Sequence, residues 1–127
     1  MTNGTLVLVV GDMDSSSWVL NFVVSFHATP CQSAFTNYHE GMFGKVFIGD
    51  KKECDIVGKG DILLSQKNGI QWLLKDVRHV PTLKCNLISV SQLYTQGCNV
   101  NFDLDSWKVS KGQLVLVKGK KFGSSYV

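Results

Sequence analysis

Trp18-Val-Leu-Asn-Phe-Val-Val-Ser-Phe-His-Ala-Thr-Pro30 is a run of apolar and β-branched residues with one amide, Asn21, in its middle. Ser15–Ser17 and Pro30 bound it, and the pattern predicts a buried strand over Trp18–Phe26. A buried strand has no local use for an Asn, which must find hydrogen-bond partners or cost stability. The polar group at position 21 is therefore the first candidate for a functional position.

Outward from this stretch, the chain reads as short strands separated by turns. Leu6–Val10 is β-prone and Gly11–Ser17 is a polar turn; Ala28 to Gly41 is a loop carrying Pro30, Asn37 and His39. Phe43–Ile48 leads into the Gly49–Glu53 turn and returns as Cys54–Val57. Gly58-Lys59-Gly60 interrupts the alternation as a bulge or sharp bend would. Asp61–Leu64, a turn at Gln66–Gly69, and Ile70–Val77 follow.

After Pro81 the period changes, and residues 86–96 predict one short helix with Asn86 as N-cap and Gly97 as C′ glycine. Cys98–Phe102, Trp107–Ser110 and Gln113–Val117 close the chain as a meander, before the basic segment Lys118–Val127. Many short strands with one late helix predict a single all-β domain, a barrel or sandwich, over residues 1–127.

Composition narrows the function classes. With 44% hydrophobic and 18% charged residues the chain is of ordinary globular type, and a net charge of +3 does not demand nucleic acid. The four cysteines (Cys31, Cys54, Cys85, Cys98) are scattered singly, with His27, His39 and His79 equally dispersed. Zinc ligands cluster in short knuckles, so neither a metal nor another cofactor is expected. Leu6–Val10 is too short for a signal-peptide core and no run is long enough to cross a bilayer, so a cytoplasmic or nuclear protein without membrane insertion is expected.

Asp76-Val-Arg-His-Val-Pro-Thr-Leu-Lys-Cys-Asn-Leu-Ile-Ser-Val-Ser-Gln-Leu93 closely resembles a segment in the Gag-Pol polyproteins of copia-type retrotransposons, in the protease region between Gag and integrase. Trp18-Val-Leu with Ser25-Phe-His27, Val57-Gly-Lys-Gly60 and Gly97 fit the same frame, as do Lys108–Gly112 and the Gly-Ser-Ser-Tyr-Val127 ending. The resemblance spans residues 18–127 and leaves 1–17 outside it. It implies a retropepsin-like closed β-barrel whose subunits pair to form one active site, each giving an aspartate from a D-S/T-G-A loop. It further implies a flap-like hairpin at Gly58, Lys59 and Gly60.

At the start, the family pattern W-x-L-D-S-G-A-S-x-H meets Trp18-Val-Leu-Asn-Phe-Val-Val-Ser-Phe-His27. Asn21, Phe22, Val23 and Val24 occupy the Asp, Ser, Gly and Ala positions, and all four depart. An aspartic protease needs two carboxylates sharing one proton. An Asn amide is neutral at every relevant pH and cannot act as that base. Loss of one catalytic base costs a factor of about a hundred to ten thousand, and here both subunits lose it. Phe22 lacks the supporting hydroxyl, Val23 brings a β-branched side chain where glycine allowed close approach, and the three together favour a strand.

No other carboxylate is marked as a substitute. Asp12, Asp14, Asp50, Glu53, Asp55, Asp61, Asp103 and Asp105 read as solvated surface groups. Cys31 with His27 has the chemistry of a nucleophilic pair, but nothing in the spacing favours it over a structural thiol. Ser25 and His27 lack a third orienting group.

The expected function is thus a catalytically inactive, protease-derived binding protein that self-pairs, or pairs with another protein as an interfering subunit. Sheet-edge pairing is the expected route, through Leu6, Leu8, Val10, Val115, Val117, Phe122 and Tyr126. One alternative is an active aspartic endopeptidase with a degenerate motif, which would be sensitive to pepstatin. Another is a nucleic-acid-binding barrel using Lys118, Lys120 and Lys121 with Phe122 and Tyr126.

Overall fold

Trp18, Leu20 and Asn21 are all buried, and the strand they form is the centre of the molecule. The computed structural model describes residues 6–10, 18–48, 52–65 and 71–126, and for 6–10, 48, 52 and 120–126 the backbone alone. Strand β1 (Leu6–Val10) precedes β2 (Trp18–Asn21), and the next stretch holds β3 (Ala28–Thr29), a 3-10 turn at Gln32–Ala34 and β4 (His39–Glu40). A hairpin of β5 (Lys45–Ile48) and β6 (Lys52–Asp55) follows, then β7 (Gly58–Ser65), β8 (Gln71–His79) and β9 (Asn86–Ser89). The helix α1 (Val90–Thr95) and the strands β10 (Asn99–Phe102), β11 (Ser106–Lys111) and β12 (Leu114–Tyr126) complete the chain.

Ten strands form one sheet in the order β10-β11-β12-β1-β2-β9-β3-β8-β7-β4, and β5-β6 stand apart. The chain is all-β with one short helix, as the sequence predicts. Closure is corrected: among the described residues the sheet ends at β10 and β4, and no ladder joins them. A two-residue β4 offers too little backbone to seal that seam.

β2 pairs antiparallel with β1 and parallel with β9, so it is covered on both edges and reads as a continuous apolar run. One core joins Trp18, Leu20, Ile88, Leu93, Trp107 and their neighbours. A second, smaller core gathers Val24, Cys54, Ile56, Val80 and Leu87 beneath the β5-β6 hairpin.

Three features differ from expectation. The first strand ends at Asn21 rather than Phe26. The helix begins at Val90 with Ser89 as N-cap, its side chain accepting from Gln92 N. Asn86–Ser89 is instead a strand, held by parallel pairing to Trp18–Asn21. Gly97 does take the left-handed conformation expected of a C′ glycine, at φ +85°.

The third difference concerns Gly58-Lys59-Gly60, which are not a flap. They open β7 and pair with both β4 and β8. A Cβ at Gly58 would strike the Tyr38 ring and hydroxyl, and one at Gly60 the Asn37 carbonyl. These glycines admit neighbouring chain, and the hairpin that stands apart from the large sheet is β5-β6. The expected turns at 11–17 and 66–69, and residues 49–51 of the turn at 49–53, lie outside the described residues.

Candidate functional site

The site begins where β2 stops. Asn21 Oδ1 accepts the backbone N–H of Val23 (2.7 Å) and of Val24 (2.9 Å). The side chain thus satisfies two amides of its own turn, a known reason for Asn and Asp to end a strand. This answers how a buried amide is tolerated here. It also overturns the expectation that Phe22, Val23 and Val24 prolong the strand. Phe22 and Val23 are turned out, 41% and 53% exposed, while Val24 is buried.

Val24 occupies the space beneath the hairpin. With Phe26, Val46, Ile56, Arg78 and Val80 it lines a crevice too narrow to admit a water molecule. Arg78 lies over the Phe26 ring at 4.2 Å from its centroid, closing the crevice further. Among the described residues no carboxylate hydrogen-bonds Asn21. Asp55 pairs with Lys45 across the hairpin, at 2.8 Å. Asp61 accepts from Asn37 and from Asp76 N, and Asp76 pairs with Arg78.

The loop after Asn21 is clamped from the other side by a buried polar network that the sequence did not announce. Register steps from Gly60↔Val77 to Ile62↔Leu74, so Lys75 and Asp76 together face Asp61. This is a bulge on β8, and Asp76 carries its left-handed residue at φ +60°. The bulge leaves the Lys75 and Asp76 carbonyls without ladder partners, and two helix side chains take them. Gln92 Nε2 donates to Asp76 O (2.9 Å) and Gln96 Nε2 to Lys75 O (2.9 Å).

Both glutamine oxygens then turn to His27. Gln92 Oε1 accepts the His27 backbone N–H at 2.6 Å, and Gln96 Oε1 lies 3.2 Å from His27 Nε2. Ser89 N–H donates to His27 Nδ1 (2.9 Å), so the ring is neutral with its proton on Nε2. Ser89 Oγ donates to Val24 O (2.8 Å), fixing the loop to the start of α1.

Burial drives the His27 pKa down to about 4; the hydrogen bond His27 donates to Gln96 and the Asp76 charge oppose this, and Arg78 adds to it. A fully buried, fully bonded imidazole is a structural pin. It has no contact with Cys31, which is exposed and pairs its thiol with Ser33 Oγ at 3.2 Å. Ser25 is exposed and stands apart from this network. Only the spacing of Gln92 and Gln96, four apart on a helix, could have signalled a shared face.

The strands expected to meet a partner are placed inside the sheet. β1 lies between β12 and β2, and β12 between β11 and β1. Leu6 pairs with Tyr126, and Val10 with both Gly119 and Trp18; Val117 is buried opposite Val109. Pairing through Leu6, Leu8, Val10, Val115, Val117, Phe122 and Tyr126 is therefore largely used up within the chain. The segment Lys118–Tyr126 is the second half of β12, not a tail.

Among the described residues the large sheet has two end strands, and β10 is the longer of them. It carries no Lys, Pro or bulge, the devices that usually blunt an edge, whereas β4 at the opposite end is a short His-Glu pair. Phe102 of β10 meets Phe22 of the Asn21 loop with ring centroids 5.7 Å apart. Phe102 and Leu104 are themselves 44% and 97% exposed, so apolar surface gathers where the loop and this edge adjoin.

Among the described residues no cluster of three or more His, Cys, Asp or Glu could hold a metal, and no helix is long and apolar enough to cross a membrane. The family described as "Pol polyprotein, beta-barrel domain" matches residues 18–98. The chain is also 41% identical, over 111 residues, to the "Retrovirus-related Pol polyprotein from transposon TNT 1-94" of Nicotiana tabacum. That alignment covers 87% of this chain and 8% of the relative, so the chain spans a small part of the polyprotein it matches. No solved structure matches. The chain belongs to the Pol polyprotein beta-barrel domain family, a retrotransposon Pol-derived region of copia type.

Proposed function

We propose that this domain is a protease-derived protein without peptidase activity, acting by protein association through the β10 edge and the aromatic cluster beside it. The observation that carries this is the Asn21 turn. Its side-chain oxygen caps its own loop, and Val24 is buried in the wall of the narrow crevice under the hairpin. Two amides cannot share and shuttle the proton that two carboxylates would. The route to a partner moves from the terminal strands to β10, because β1 and β12 already pair with each other. A second copy meeting β10 antiparallel would set Asn99 against Phe102 and Val100 against Asn101, with no charge opposed to a like charge.

The test compares the natural chain with one carrying Asn21→Asp, Phe22→Ser, Val23→Gly and Val24→Ala, in a peptide-cleavage assay with and without pepstatin. No cleavage by the natural chain is expected; cleavage as fast as by the restored chain overturns the reading. Sedimentation tests the surface. The natural chain should associate and Phe102→Asp should be monomeric at the same concentration, so a natural chain that is already monomeric removes self-pairing.

A further inference from the structure

We infer that the groove at the Trp18 end of β2, away from Asn21, binds a small amphipathic carboxylate: an apolar chain or ring with one anionic head. The groove encloses about 480 Å3, which lies within the range of small-molecule sites. Its walls are Trp18, the Pro30–Ala34 segment, the Ile62–Ser65 half of β7, and Lys84–Asn86 leading into β9. Trp18 and Ile62 are 4% and 2% exposed, so the floor is firmly part of the core. One wall is braced where Thr29 Oγ1 donates to Asn86 Oδ1 at 2.7 Å. The facing 3-10 turn fixes Ala34 through Ala34 N–H to Cys31 O, at 3.2 Å. The groove is therefore preformed.

Its chemistry selects the ligand. Ala34, Leu63 and Leu64 offer apolar surface, over the buried Trp18 and Ile62, that a nucleotide or sugar would leave unpaired. Among the described residues lining the groove, Lys84 is the one that is charged and none is a carboxylate. Lys84 is exposed and has no ion pair among the described residues, so its ammonium is free to meet an anion. Beside an apolar wall that pairing gains strength from the lower local dielectric. Apolar floor and a single cation at the rim are complementary to a fatty-acid-like anion and repel an amphipathic amine.

Two thiols report on occupancy. Cys31 and Cys85 both line this groove, while Cys54 and Cys98 are buried in the two cores. Burial pushes the Cys85 thiol upward, so alkylation is best followed at mildly alkaline pH. A ligand seated in the groove shields both thiols together.

The experiment titrates the full chain with decanoate, with decylamine as the charge-reversed control, by calorimetry. In parallel, iodoacetamide labelling of Cys31 and Cys85 is timed by mass spectrometry. Expected are saturable decanoate binding, slowed labelling of both thiols over the same concentration range, and much weaker decylamine binding. Lys84→Glu should raise the decanoate Kd by roughly tenfold or more, the value of one charge-assisted contact. Ala34→Trp should fill the groove and abolish binding; should that variant fail to fold, the exposed Lys84→Glu still decides. No saturable binding, binding that leaves labelling unchanged, or equal affinity for decylamine would each overturn the assignment. Decanoate at the Phe22–Phe102 cluster would give the second of these outcomes.

Discussion

Acidification should weaken this domain through one side chain, His27. In the fold its imidazole is buried, accepts from Ser89 N–H and faces Gln96, and its pKa falls to about 4. In the unfolded chain it returns to the ordinary value near 6.5. Below about 6.5 the unfolded state gains a proton that the folded state refuses, so stability drops as pH falls. The loss ends near 4, where the folded imidazole also protonates. That interval, at about 1.4 kcal/mol per pH unit, amounts to about 3 kcal/mol. Set against the 5–15 kcal/mol typical of small domains, about 3 kcal/mol is a large share.

The assay is urea unfolding at several pH values for the natural chain and for His27→Asn. The Asn variant keeps an acceptor for Ser89 but cannot titrate. It should be less stable near neutrality, yet its stability should fall less steeply between about 6.5 and 4. Subtracting the two curves cancels the contributions common to both chains, leaving that of His27. Parallel curves across that window would refute the reasoning, since they would mean the imidazole is not held neutral by burial.

Gln92→Leu should destabilise by about 2 kcal/mol in the same urea assay, because it leaves the buried His27 N–H without its acceptor. It should also speed hydrogen exchange over residues 22–27, and unchanged exchange there would remove the clamp. Gly60→Ala should cost about 2 kcal/mol, since its Cβ meets the Asn37 carbonyl rather than a movable side chain. Asn21→Asp alone should leave the fold intact, because a carboxylate oxygen accepts from Val23 and Val24 as the amide does. It should give no peptidase activity, because Phe22, Val23 and Val24 still stand where the family loop has small residues; measurable cleavage by this single variant would contradict that.

What the residues determined unaided was local or carried by a long motif. Alternation and turn residues marked most strands to within a few positions, and Gly97 marked the end of the only helix among the described residues. The stretch Asp76–Leu93 placed the family, and the departure at Asn21–Val24 was visible by inspection. What required the tertiary structure was every feature set by a distant partner. Val24 goes inward and Phe22 outward because the hairpin covers one and not the other. Asn86–Ser89 is a strand because β2, 68 residues earlier, supplies its ladder; a parallel pairing leaves no mark in local periodicity. The Lys75–Asp76 bulge gives Gln92 and Gln96 their buried role, and the neutral His27 follows from it. Which strand edge is free is likewise a property of sheet order alone, and that order leaves β10 open while enclosing β1 and β12.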